Sequence, residues 1–111
     1  MTQGIKTIIY PVKDVARAKA QFSKLAGVEP YSDEPYYVGY NVADQHIGLD
    51  PYGHTDGTTP YWHVDDIKTS LQSLLEAGAQ TLQDIRDVGG ARLIASVKDA
   101  EGNIIGLLQN P

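Results

Sequence analysis

Pro11-Val12-Lys13-Asp14-Val15 and His63-Val64-Asp65-Asp66-Ile67 are two versions of one passage, separated by an offset of 52 residues (Asp14 to Asp66). Each closes an apolar, β-branched run, Ile5–Val12 in one case and Thr59–Val64 in the other, of the kind that forms a buried strand. Each then supplies an aspartate whose carboxylate can accept from the free N–H groups of a new helix. Val15, Ala18, Phe22 and Leu25 make the apolar stripe of the first helix, which Ala26-Gly27 ends. Ile67, Leu71, Leu74 and Leu75 make that of the second, which Ala77-Gly78 ends.

The segments beyond the two helices are also alike. After the first come a short strand over Val28–Tyr31, a tyrosine-rich strand over Pro35–Val42, a turn at Ala43-Asp44-Gln45 and a returning strand over His46–Asp50. After the second come an extended run over Ala79–Ile85, a turn at Gly89-Gly90, and a strand over Ala91–Val97. A hairpin loop over Asp99–Asn103 then leads to a final strand over Ile104–Gln109. Ile47-Gly48-Leu49 matches Ile105-Gly106-Leu107 at an offset of 58 (Gly48 to Gly106), and the six extra residues are assigned to the segment before Gly89-Gly90. The chain therefore reads as β-α-β-β-β twice, residues 1–55 and 56–111, joined by the polar loop Pro51–Thr58.

Bulk properties bound the function. At 111 residues, 41% hydrophobic and 21% charged, the chain is expected to be one globular domain with its own core. It has no cysteine, so disulfides, thiolate metal sites and a thiol nucleophile are excluded. A net charge of −5 argues against a nucleic-acid partner, and Arg17, Lys19 and Lys24 read as a solvated helix face. No signal peptide and no membrane-length apolar run is visible, so a cytoplasmic location without membrane partners is expected. There is no Gly-x-Ser-x-Gly elbow, and Gly89-Gly90 precedes a strand, not the helix that phosphate binding would need.

The order of a strand, x-Val-x-Asp, a helix ending in Gly, and a closing Asp99-Ala-Glu-Gly-Asn-Ile-Ile-Gly-Leu107 resembles the vicinal-oxygen-chelate superfamily. That superfamily includes glyoxalase I, methylmalonyl-CoA epimerase, extradiol dioxygenases and bleomycin-resistance proteins. The resemblance covers nearly the whole chain. It implies an α+β fold of two tandem β-α-β-β-β modules, with curved mixed sheets around a cavity and helices outside. It further implies a divalent ion held by His or Glu at four corners, which here fall on Thr7, Gly48, Thr59 and Gly106. None of these carries an imidazole or carboxylate, so no metal and no cofactor is expected. Short members of the family pair as homodimers, which is expected here too; whether modules are exchanged the sequence leaves open.

Three histidines, His46, His54 and His63, stand apart from those corners. Strand alternation puts Thr59, Tyr61 and His63 on one face, Thr7 and Ile9 on one face of the first strand, and Gly106 and Leu108 on one face of the last. The expected ligand pocket is thus Thr7, Ile9, Tyr40, His46, Gly48, Thr59, Tyr61, His63, Gly106 and Leu108. His63 is the first candidate base, though a hydrogen-bonded structural role near the strand end fits it as well. His54 sits in the linking loop. On the third strand, Tyr36, Val38 and Tyr40 share one face and Tyr37, Gly39 and Asn41 the other; the sequence does not say which faces inward. With Gly48 and Gly106 enlarging the wall, the residues suit a flat or aromatic organic molecule more than a coordination sphere. The expected function is metal-independent binding or sequestration of such a molecule. The alternatives are a glyoxalase-like lyase, isomerase or dioxygenase with displaced metal ligands, an enzyme with a histidine base, and a purely structural domain.

Overall fold

In a computed structural model describing residues 2–52 and 57–111, the element order is β1 (Thr2–Pro11), α1 (Val15–Ala26), β2 (Ser32–Glu34), β3 (Tyr37–Val42), β4 (Gln45–Asp50), β5 (Thr59–Val64), α2 (Ile67–Glu76), β6 (Gln80–Asp87), β7 (Leu93–Lys98) and β8 (Ile104–Gln109). The α+β class and the doubled β-α-β-β-β order are both present. The residues group into two compact units, Thr7–Thr58 and a second made of residues 2–6 with Thr59–Pro111.

In the first unit the strands run β2-β3-β4-β1, with β4 parallel to β1 and the other pairs antiparallel. Asp14 accepts from the Arg17 N–H at 3.1 Å, which fixes the start of α1, and Gly27 ends it in the left-handed region at φ 73°. Ala18 packs with Val38, Tyr40 and Leu49, flanked by Val15, Phe22 and Ala26. Leu25, which the periodicity assigns to the helix stripe, is 82% exposed. Ala26, four residues after Phe22, takes its place in the packing.

The short strand also lies later than propensity suggests. Ser-Asp-Glu at residues 32–34 pairs with Gly39, Val38 and Tyr37, while Val28–Glu29 make no strand. Pairing outweighs composition here: the Tyr31 N–H donates to the Gly39 carbonyl at 3.0 Å and sets the register.

The second unit is ordered β5-β8-β7-β6, with β5 parallel to β8. Its helix begins where the Asp66 carboxylate accepts from the Thr69 N–H and hydroxyl, bonds that also hold the Asp66 carboxyl below the usual carboxylate range. Ile67 and Leu71 pack with Val64, Ala95, Val97 and Leu107, joined by Leu74 and Leu75. Trp62, paired with Leu107, stays 37% exposed. Residues 2–6 are tied to this unit, Thr2 Oγ1 donating to the His63 carbonyl and the Gln3 side chain to Asp65.

The extra length of the second unit is divided. The Val42–Gln45 pair closes the first hairpin on a two-residue loop, and the Lys98–Ile104 pair closes the second on a five-residue loop. Between the corresponding pairs, Gly39–Gly48 and Ser96–Gly106, the second hairpin is one residue longer. The rest of the insertion falls between α2 and β7, where β6 is a full eight residues with two register shifts against β7.

Candidate functional site

Each unit presents one sheet face to its helix and one away from it, and the candidate residues sort by that division. In the first unit Val38, Tyr40, Ile47 and Leu49 face α1. Register places Thr7, Ile9, His46, Gly48, Gly39, Asn41 and Tyr37 on the opposite face. Tyr40 is therefore not a pocket residue. Fully buried beneath α1, its hydroxyl bonds Ser23 Oγ at 2.7 Å and donates to the Lys19 carbonyl at 3.1 Å.

The face away from α1 holds a cluster that sequence reasoning reaches only through His46. Tyr37 Oη lies 2.6 Å from His46 Nε2, with the two rings stacked at 6.1 Å and 13°. Tyr31 Oη lies 3.2 Å from Nδ1 and 3.3 Å from Nε2. Asn41 Oδ1 lies 3.5 Å from Nδ1. Tyr37 is the nearest partner of the ring, and the direction of each of these bonds follows the histidine tautomer. The result is a Tyr37–His46 pair with Tyr31 and Asn41 beside the imidazole, an arrangement in which neighbouring groups orient a potential base.

Two glycines make room for it. A Cβ on Gly39 would stand 3.0 Å from Tyr31 Cε1 and 3.1 Å from His46 Cε1. On Gly48 it would stand 2.6 Å from Ile9 Cδ1 and 2.8 Å from Tyr37 Cζ. Gly48 does not enlarge the pocket wall as the sequence suggests, because Tyr37 and Ile9 take the space a side chain would occupy. Thr7 is buried on the same face.

The second unit repeats the plan. Tyr61 pairs with Gly106 and His63 with Leu108, away from the α2 side where Val64 and Leu107 pack. Gly106 likewise opens no space: a Cβ there would meet Tyr61 Cδ1 at 2.6 Å and the Pro60 carbonyl oxygen at 2.9 Å. Thr59 and Leu108 are buried. The pKa of His63 is held below the ordinary histidine value, first by burial and then by the positive charges of Lys6 and Arg92. Ser96, which pairs with Gly106 from β7, is 1% exposed, and its Oγ has no hydrogen-bond partner among the described residues.

Thr7, Gly48, Thr59 and Gly106 supply no metal-ligating imidazole or carboxylate, and no three His, Cys, Asp or Glu side chains converge on an ion site among the described residues. His54 lies outside them.

Known structures share this architecture. A glyoxalase/bleomycin resistance protein/dioxygenase superfamily member from Vibrio splendidus 12B01 matches over 100% of both chains, with a TM-score of 0.75 and 15% identity. The chain has the vicinal-oxygen-chelate fold. Methylmalonyl-CoA epimerase from Mycobacterium tuberculosis has this fold too, at TM-score 0.73 and 16% identity over 99% of this chain and 89% of that one. So does a single-residue variant of the Streptomyces coelicolor epimerase, in complex with 2-nitronate-propionyl-CoA, at TM-score 0.74 and 14% identity over 99% of each chain. No family model and no curated protein matches the sequence. At these identities the vicinal-oxygen-chelate likeness is one of fold, and the chemistry rests on the side chains just described.

Tyr31, Tyr37, Asn41 and Ser96 belong to these faces although sequence reasoning does not select them. Alternation does put Tyr37, Gly39 and Asn41 on one face; what it lacks is the side on which α1 lies. Ser96 gives no signal at all in a sequence.

Proposed function

We propose that this chain is a metal-independent small-molecule-binding protein, holding a flat or aromatic organic molecule against the aromatic sheet faces that point away from its helices. The observation carrying this reading is the occupation of the glycine corners. Where a chelating relative would place a carboxylate, Gly48 is overlaid by Tyr37 and Gly106 by Tyr61. Tyrosine offers a ring to stack on and a hydroxyl to orient a polar group, which suits an organic ligand. The likeness to a fold that holds 2-nitronate-propionyl-CoA in the Streptomyces coelicolor epimerase supports a small-molecule partner.

The first test is elemental mass spectrometry on untagged protein dialysed without chelator. The expected result is no stoichiometric metal; near-stoichiometric zinc, nickel, iron or manganese overturns the reading.

A second reading is favoured by one distance. The 2.6 Å bond between Tyr37 and His46, with Asn41 behind the ring, is an acid–base arrangement and makes His46 a stronger candidate base than His63. Under that reading His46→Gln abolishes turnover of a substrate while leaving its thermal stabilisation of the protein in place.

We also propose a cytoplasmic homodimer. Support comes from the open edge of β6 at the end of its unit's strand order among the described residues. Light scattering is expected to give twice 12.1 kDa.

A further inference from the structure

A hydroxyl with no partner is rare in a folded interior, because burial strips its water and returns no bond. Ser96 Oγ is such a group among the described residues. It stands on β7 opposite Gly106, on the face of the second unit turned away from α2, beside the glycine that Tyr61 overlays.

The charge of that face is as informative as the hydroxyl. Arg86 pairs with Ile94, Lys98 with Ile104 and His63 with Leu108, all on the side that Ser96 occupies. Asp84, unpaired in the register shift two residues before Arg86, is the one carboxylate that β6 adds on this side, so the balance there is two cations, Arg86 and Lys98, to one anion. With His63 held in its neutral form, Arg86 and Lys98 are the two cations at the positions paired around the buried donor.

We infer that Ser96 is the hydrogen-bond donor to an anionic oxygen, a carboxylate, on the small organic molecule this protein binds. The inference rests on the small-molecule reading above and narrows it to aromatic acids. Tyr61 supplies a ring for the ligand's flat body, Ser96 the bond to its carboxylate, and Arg86 and Lys98 the favourable field.

Benzoate and its neutral counterpart benzamide are the probes, titrated calorimetrically into the dialysed protein. Benzoate is expected to bind at least about tenfold more tightly than benzamide, and Ser96→Ala to weaken benzoate by about tenfold or more. The ligand-free Ser96→Ala protein is expected to melt no lower than wild type, since the hydroxyl has no bond to lose. A titration followed by amide NMR on the wild-type chain needs no variant, and is expected to move Ser96 and Gly106 first.

Absence of benzoate binding, equal affinity for benzamide, shifts confined to the first unit, or unchanged affinity in Ser96→Ala would each overturn the inference. Its failure is separable from that of the metal-free reading. Stoichiometric metal with Ser96-dependent benzoate binding removes only the latter; metal-free protein indifferent to Ser96 removes only the former.

Discussion

An added methyl group at Gly106 meets atoms that cannot withdraw. Tyr61 Cδ1 and Cγ lie near the base of the ring, and the Pro60 oxygen is backbone. At Gly48 the obstacles are the far ends of Tyr37 and Ile9, which rotate aside more readily. Gly106→Ala is therefore expected to destabilise by about 1–3 kcal/mol and Gly48→Ala by less, measured by chemical denaturation. Equal losses would show that the two tyrosines do not fill the corners as described. His63 sets a pH dependence of known sign. Burial and the charges of Lys6 and Arg92 lower its pKa in the folded chain, so the unfolded chain takes up the proton first. Stability is then complete above about pH 6.5 and declines as the pH falls from there through the lowered folded value. His63→Gln is expected to flatten that part of a melting-temperature profile; a profile that keeps its slope would refute the assignment.

At the level of elements, Tyr40 is the bolt between α1 and β3. Tyr40→Phe removes its bonds to Ser23 Oγ and the Lys19 carbonyl without changing the ring. The expected loss is about 1–2 kcal/mol in a denaturant titration, because a helix carbonyl is left without its side-chain donor. Tyr40 also shows where sequence reading stops. Asp14, Asp66 and Gly27 are legible because capping is decided by the neighbouring few residues. β5 and β8 are legible to the residue because their apolar runs end at clear turns. Which face of β3 meets α1 is a tertiary fact: Ser23 gives a tyrosine hydroxyl a partner under the helix, and no local pattern announces it. β2 escapes for a related reason, since Ser32–Glu34 have little intrinsic strand preference and are held by pairing with β3. The candidate site is half legible. Alternation groups Tyr61, His63, Gly106 and Leu108 correctly by face, while the Tyr31–Tyr37–His46 cluster depends on side-chain directions that only coordinates give.

For the whole molecule, the doubled unit keeps the packing of each helix apart from the corner residues. The apolar clusters that join helix to strand lie on the α side of each unit, whereas the corner residues lie on the other, where Tyr37 and Tyr61 pack over the glycines. Installing a carboxylate by Gly106→Glu is therefore not expected to create a metal site. The side chain must first displace Tyr61, and no His, Asp or Glu stands at Thr59 to join it. Zinc titration followed by calorimetry is expected to show no binding by that variant at micromolar concentrations; tight one-to-one binding would mean the corners are closer to competent than their residues indicate.

The partly exposed indole of Trp62 has a practical consequence for anyone studying this chain in solution. It is the sole tryptophan and belongs to the second unit, whereas six of the seven tyrosines belong to the first. Emission excited at the red edge of the absorption band therefore samples the second unit alone, while far-ultraviolet dichroism samples both. Melting curves from the two signals that superimpose would make the doubled chain a single cooperative folder; curves that separate would give the two halves independent lifetimes.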